Sequence, residues 1–248
     1  MFEYWLYIIS SLAILPAIIF AIVAQIRVQS AFSKYSAIPS ANGITAAELA
    51  ERLLAEHGCD HVKVASMTGH LNDHYDPRTK TVALSEKVYA STSLAALGIA
   101  AHEVGHAVQD HTKYPPLKLR QVVIKSTSLV NKILLPLIII GFIASFFVAG
   151  ATIMGIAGND FFYYLILALC VLYGLSFLIN VITLPTEYNA SARAKKMLAD
   201  GGYLADREES AAVSRVLSAA ALTYVAALII SLAYFLRFLA IALSARRR

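Results

Sequence analysis

Cysteine is nearly absent: Cys59 and Cys170 are the only two in 248 residues. Cys170 sits inside an apolar run with no obvious partner, so the chain has neither a disulfide framework nor a Cys-rich zinc site. Any metal must therefore be held by histidine and carboxylate. Charge is scarce as well. Only 15% of residues are Asp, Glu, Lys or Arg, and 58% are hydrophobic, whereas a soluble domain is nearer to about a quarter charged. The excess apolar residues call for lipid or for an unusually large core. Internal repeats and low-complexity linkers are also missing, and so is any motif for base or phosphate recognition. The net charge of +5 is therefore a matter of topology and not a nucleic-acid footprint.

What is present is a set of long apolar runs. A helix needs about 20 apolar residues to cross a hydrocarbon core. Four stretches qualify: Trp5 to Ala24, Ile133 to Ile156, Phe161 to Leu184, and Ala219 to about Leu243. Tyr4, Trp5 and Tyr7 are placed as interfacial aromatics of the first. The short link Ala157-Gly158-Asn159-Asp160 makes a hairpin of the second and third. Arg237 interrupts the fourth only near its end, where it can snorkel. A cleaved signal peptide is the other reading of the first run. The lack of a basic n-region, the acidic Glu3 and the length of the run favour a retained anchor.

Two polar regions remain, Gln25–Lys132 and Thr186–Ser218. Two spans separate them, so they share one face of the membrane. Lys and Arg near the membrane set the orientation. The shared face carries Arg27, Lys34, Lys113, Lys118, Arg120, Lys125, Lys132, Arg193, Lys195, Lys196, Arg207 and Arg215. The opposite face carries Arg246, Arg247 and Arg248. Twelve against three puts the polar regions in the cytoplasm.

Local patterns organise these regions. Thr45-Ala46-Ala47-Glu48 has capping-box spacing and opens a helix with Leu49, Leu53 and Leu54 on its apolar face, ended by Gly58. Val62 and Val64 alternate with His61 and Lys63 in a short strand. Asp76-Pro77-Arg78-Thr79 is a turn, and Thr81–Leu84 a second strand. From Ser93 to His111 the period is helical, and Pro115-Pro116 closes the unit.

That last helix carries His102-Glu103-Val104-Gly105-His106. Side chains at i and i+4 stand on one helix face, so His102 and His106 can both reach one Zn²⁺. Glu103 is directed to the side, as the base for a zinc-activated water. Small residues Ala100, Ala101, Gly105 and Ala107 permit close approach of another element. The bland alternative is two histidines packed or solvated on a helix, and the periodic helical setting argues against it. A catalytic zinc needs a third protein ligand. Glu187 fits, following Pro185 at the cytoplasmic exit of the third span and beginning a helix. Its ordinary role there would be a carboxylate facing the macrodipole. His70, Asp73, His74, Asp76 and His111 compete; His111 is turned away from the histidine pair, and His70 and His74 suit the cleft.

Several separated segments together resemble one known family. They are His102–His106, Asp73-His74-Tyr75-Asp76-Pro77-Arg78 with Leu84-Ser85, and Pro116-Leu117-Lys118-Leu119-Arg120. Two more are Leu184-Pro185-Thr186-Glu187-Tyr188-Asn189-Ala190-Ser191 and Ala219-Ala220-Ala221-Leu222-Thr223-Tyr224-Val225-Ala226. The chain resembles the YugP-like neutral zinc metallopeptidases of bacterial membranes, over nearly its whole length. It is more distantly similar to the HtpX-like and CAAX-prenyl-protease membrane zincins. Those place a membrane hairpin between the two-histidine helix and a later Glu-x-x-Ala-Asp helix. The resemblance implies Glu187 as third ligand, with Ala190 matching the alanine. Ser191 departs from the pattern, because the relatives carry there an aspartate that supports a zinc histidine. That support falls here to Ser191 or Asn189, or to nothing; Arg193 on the same segment is a further candidate for the cleft.

The resulting expectation is a mainly α integral membrane protein, with about four transmembrane helices and a small α+β zincin-like cytoplasmic subdomain. The segments are 1–24 (first span), 25–132 (subdomain with the His-Glu-x-x-His helix), 133–184 (hairpin), 185–218 (helical segment with Glu187) and 219–248 (fourth span and basic tail). The expected function is a gluzincin-like zinc metallopeptidase of the cell membrane, with one Zn²⁺ per chain. Its partners are a polypeptide substrate and the bilayer. The rival reading is a scaffold or chaperone-like protein that keeps a structural zinc, closed by a fourth ligand such as His70, His74 or Asp76. A transporter finds little support, since the spans hold almost no ionisable residues.

Overall fold

Thr45 accepts a hydrogen bond from the Glu48 backbone N–H at 3.2 Å, and Glu48 accepts one from the Thr45 N–H at 3.0 Å. This reciprocal cap starts α2 (Ala46–Glu56), whose Leu49, Leu53 and Leu54 are buried. The chain leaves α2 through Gly58 at φ +68°, a conformation that favours glycine. In the computed structural model, residues 2–69, 72–123 and 160–245 are described. The predicted second span, the turn after it up to Asn159, His70 and the three terminal arginines lie outside those residues.

The first helix, α1 (Phe2–Ser36), continues well past the apolar run predicted to end at Ala24. Its later turns are more polar, with Gln25, Arg27, Gln29 and Lys34, so no hydropathy signal marks them. After α2 come β1 (Lys63–Met67), β2 (His74–Asp76) and β3 (Thr81–Ser85). They form one mixed sheet in the order β1-β3-β2. β1 runs parallel to β3, with Val64 opposite Val82, and β2 antiparallel to it, with Tyr75 opposite Val82. The short α3 (Glu86–Tyr89) leads into α4 (Leu94–His111). Ser93 caps α4 by accepting from the Ala96 N–H at 3.3 Å. Residues 115–123 form α5, and Pro115 stands at its first position, where no backbone N–H is needed. The prolines expected to close the subdomain thus open a helix.

Two long helices complete the described chain, α6 (Asp160–Asp200) and α7 (Arg207–Ala245). The expectation that Glu187 begins a helix of its own is corrected here: Pro185 lies inside α6, which runs on unbroken. Proline costs an interior helix one backbone hydrogen bond and some crowding. Thr186 and Glu187 are buried directly after it, and such packing overrides the local preference.

The chain divides into two units. One comprises Met1–Ala21, Leu119–Ile182 and Val225–Arg248. Within it Tyr173 stacks on Tyr234 and Phe238, at centroid distances of 5.0 and 5.4 Å. Asn180 donates to Ser231 Oγ at 3.2 Å. Leu12, Leu15, Ile9 and Ile19 are exposed, an arrangement suited to lipid and costly in water. Three helical stretches among the described residues are long and apolar enough to cross a membrane: Tyr4–Ser36, Ile166–Asp200 and Arg207–Ser244.

The other unit comprises Ile22–Lys118 and Thr183–Tyr224. Its core joins Leu49, Leu53 and Leu54 of α2 to Val82 and Leu84 of β3 and to Leu97, Ala101 and Val104 of α4. Ala194, Met197 and Leu198 of α6 and Val213 of α7 close it. α4 is thereby buried on nearly every side, which explains its apolar composition and fixes whatever polar groups it carries.

Candidate metal centre

Four of the polar residues on α4 are His102, Glu103, His106 and Gln109, and α4 meets α6 across one close contact. A Cβ placed on Gly105 would stand 2.7 Å from the Ala190 carbonyl oxygen. Only glycine permits that approach. It brings Glu187, one turn before Ala190's end of the segment, against the two histidines. One ligand atom from each of His102, His106 and Glu187 lies within 4.8 Å of the others. Glu187 Oε2 is 3.2 Å from His102 Nε2 and 3.6 Å from His106 Nε2.

The 3.2 and 3.6 Å separations from Glu187 Oε2 suit a small tetrahedral cation. Two ligand atoms, each about 2.0–2.1 Å from such an ion, stand about 3.3 Å apart. Two imidazoles and a carboxylate are also a fitting donor set for zinc. The outer ring nitrogens of the histidines are engaged elsewhere. His102 Nδ1 is 3.2 Å from Ser191 Oγ, and His106 Nδ1 is 3.0 Å from Gln109 Oε1. Such contacts orient a ligating ring and leave Nε2 for the metal.

Glu103 is buried beside this group and accepts a hydrogen bond from the Tyr75 backbone N–H at 3.0 Å. Burial pushes its carboxyl up to about 7, with Glu187 and Asp73 adding repulsion; His102 and the Tyr75 N–H act the other way. A divalent cation in contact with the site would favour its charged form. Tyr75 is tied to α4 a second time, since its hydroxyl donates to Asp110 Oδ2 at 2.8 Å. Lys80 pairs with the same Asp110 oxygen. Burial and the Asp110 carboxylate hold the Tyr75 phenol well above its usual range. β2 is therefore pinned along α4 at Glu103 and again at Asp110.

The other sequence candidates lie apart from the three donors. Asp73 Oδ1 accepts from the Ser85 backbone N–H and hydroxyl, at 2.6 and 3.0 Å. His74 is exposed, with Nδ1 2.9 Å from the Asn72 carbonyl. Asp76 pairs with Arg78. His111 faces His61 at a ring distance of 5.9 Å. Asn189 does not reach a histidine; its Oδ1 accepts from Gln109 Nε2 at 3.0 Å and from Arg193 Nε at 2.9 Å. Gln109 is fully buried at the centre of these contacts, and sequence reasoning missed it. The available signal was its place three residues after His106, on the same helix face.

No solved structure matches the chain. Over 223 residues it is 38% identical to "Putative membrane protease YugP" of Bacillus subtilis (strain 168), covering 90% of this chain and 92% of that protein. The family model described as "Putative neutral zinc metallopeptidase" matches residues 10–243, and the chain belongs to that family.

Proposed function

We propose that the protein is a membrane-embedded zinc metalloprotease of the gluzincin type, hydrolysing peptide bonds with Glu103 as general base. The observation that carries this reading is the convergence of His102, His106 and Glu187 donor atoms within 4.8 Å, with Glu103 on the adjacent position of α4. His102, His106 and Glu187 hold one zinc per chain. Zinc, when bound, supplies a Lewis acid that polarises a carbonyl and lowers the pKa of a water to about 7. Glu103, fixed by the Tyr75 N–H, takes the proton of the attacking water and returns it to the leaving amine. Ser191 orients His102 in the place where distant relatives use aspartate. A structural zinc would need a fourth protein ligand, and among the described residues no further His, Cys, Asp or Glu joins the three.

The membrane arrangement belongs to the same proposal. Four spans, including the 133–184 hairpin, cross the cell membrane, and the site faces the cytoplasm. The twelve-to-three bias of membrane-proximal Lys and Arg supports that orientation. The substrate is a polypeptide, either cytosolic or membrane-inserted. The test of mechanism is Glu103→Gln, which keeps volume and hydrogen bonding but removes the basic carboxylate. Zinc content and folding should stay intact, while cleavage of a labelled unstructured polypeptide falls by roughly 10²–10⁴. Cleavage by Glu103→Gln at the wild-type rate would remove the mechanism.

A further inference from the structure

Four side chains form a line behind the metal centre: Arg193, Asn189, Gln109 and His106. Arg193 Nε reaches Asn189 Oδ1 at 2.9 Å, and Gln109 Nε2 reaches the same oxygen at 3.0 Å. Gln109 Nε2 also donates to the Thr186 carbonyl at 2.8 Å. Gln109 Oε1 then meets His106 Nδ1 at 3.0 Å. We infer that Arg193, Asn189 and Gln109 act as a polarity relay that fixes the proton of His106 on Nδ1 and keeps Nε2 bare for the metal. The inference rests on the metal reading of the site and adds positioning residues to it.

Each link follows from what a group can do in a hydrogen bond. A guanidinium only donates, so it holds the oxygen of Asn189 inward. A backbone carbonyl only accepts, so Thr186 makes the same demand on Gln109 from a second direction. The Gln109 amide must therefore turn its NH₂ to Thr186 and Asn189. Turned the other way, its oxygen would face two other acceptors in a fully buried place, where unmade hydrogen bonds are costly. With the NH₂ so committed, Oε1 faces His106, and Nδ1 must carry the hydrogen between them. A hydrogen on Nε2 alone would leave two lone pairs facing each other across 3.0 Å.

The consequence lies on the far side of the ring. His106 Nε2 presents its lone pair toward Glu187 Oε2, 3.6 Å away. Two electron-rich atoms facing across that gap call for a positive charge between them. The relay also ties α4 to α6 on either side of Glu187, at Thr186 and Asn189. It thus sets both the electronic state of one ligand and the place of another. The His102 ligand has no such relay, because Ser191 Oγ can donate or accept with equal ease.

The experiment uses full-length protein in detergent, ¹⁵N-labelled at histidine, with His106 assigned by the signal lost in His106→Gln. After chelator treatment, long-range ¹H–¹⁵N spectra should show wild-type His106 protonated at Nδ1 and bare at Nε2. Gln109→Leu should shift His106 toward the Nε2–H form and weaken zinc binding 10–100-fold in competition with a fluorescent chelator. Arg193→Met should move both readouts the same way by less, and Arg193→Lys, which still only donates, should restore them. If Gln109→Leu does not fold, the two Arg193 variants decide. An unchanged tautomer and zinc affinity in Gln109→Leu and Arg193→Met would overturn the relay. A wild-type protein that takes up no zinc would count against the metal reading alone, because the tautomer is read without zinc.

Discussion

Gly105 of α4 and Ala190 of α6 touch backbone to backbone, and this contact sets the spacing of His102 and His106 against Glu187. A methyl group on Gly105 would lie 2.7 Å from the Ala190 carbonyl oxygen and 3.3 Å from its carbonyl carbon. The obstacle is main chain, which cannot swing aside as a side chain does. Gly105→Ala should force the two helices apart by several tenths of an ångström. The expected cost is about 1–3 kcal/mol of stability, the usual scale of overpacking. Zinc retention should fall as well, since Glu187 moves away from His102 and His106. Thermal unfolding and metal analysis of the purified variant check both effects. Unchanged zinc content would show that the ligand spacing does not depend on this contact.

On the proposed zinc site, removing the metal should lower stability as well as activity, because the three proposed ligands come from two helices that are distant in sequence. At a free zinc concentration 1,000 times its Kd, binding adds about 4 kcal/mol to the folded state. Chelator-treated protein should unfold at a lower temperature and regain its stability when zinc is returned. The His102→Ala, His106→Ala double variant should show a low transition that zinc does not raise. Full zinc occupancy in that double variant would place the metal elsewhere.

The features of this chain legible in its sequence are those carried by local rules. The capping box at Thr45 and Glu48 and the histidine pair one turn apart each depend on neighbours within four residues. β2 was not legible as a strand. It spans three residues and is held to α4 by the Tyr75 N–H and hydroxyl, contacts no alternation pattern announces. Pro185 misled because its helix-breaking preference is local, whereas the burial of Thr186 and Glu187 is not. Gln109 was invisible for a related reason. A polar residue on an otherwise apolar helix gains meaning only when α6 supplies Thr186 and Asn189 as its partners.

Topology can be read with introduced cysteines. Cys59 is fully buried and would report slowly or not at all to a membrane-impermeant thiol reagent. Glu51 and Lys196 are exposed, so Glu51→Cys and Lys196→Cys in a Cys59→Ala background are better reporters. Both should stay unlabelled in intact cells and react after permeabilisation. Labelling of the two from opposite sides would contradict an even number of spans between them. Labelling of both from outside would reverse the orientation and leave the span count intact.

Glu187→Gln separates a ligand from a base. Glu187 is buried, with its Oε2 facing both histidine Nε2 atoms at 3.2 and 3.6 Å. An amide oxygen is a poorer zinc ligand than a carboxylate, and it brings no charge to offset the cation. Its NH₂ cannot bind metal at all. The substitution keeps the volume, so the packing around Thr186 and Ala190 should hold and the protein should fold. Zinc should then leave at chelator concentrations that do not strip the wild type, and activity should recover in part when excess zinc is supplied. Glu103→Gln should show the opposite pattern: zinc retained, turnover lost, and no rescue by added metal. Direct titration with a zinc-competing dye, paired with the cleavage assay, distinguishes the two. If Glu187→Gln binds zinc as tightly as the wild type, the third ligand is another residue. His70 and Asp73, which precede β2 in sequence, and His74 at its start would be the next to test, by the same pair of measurements.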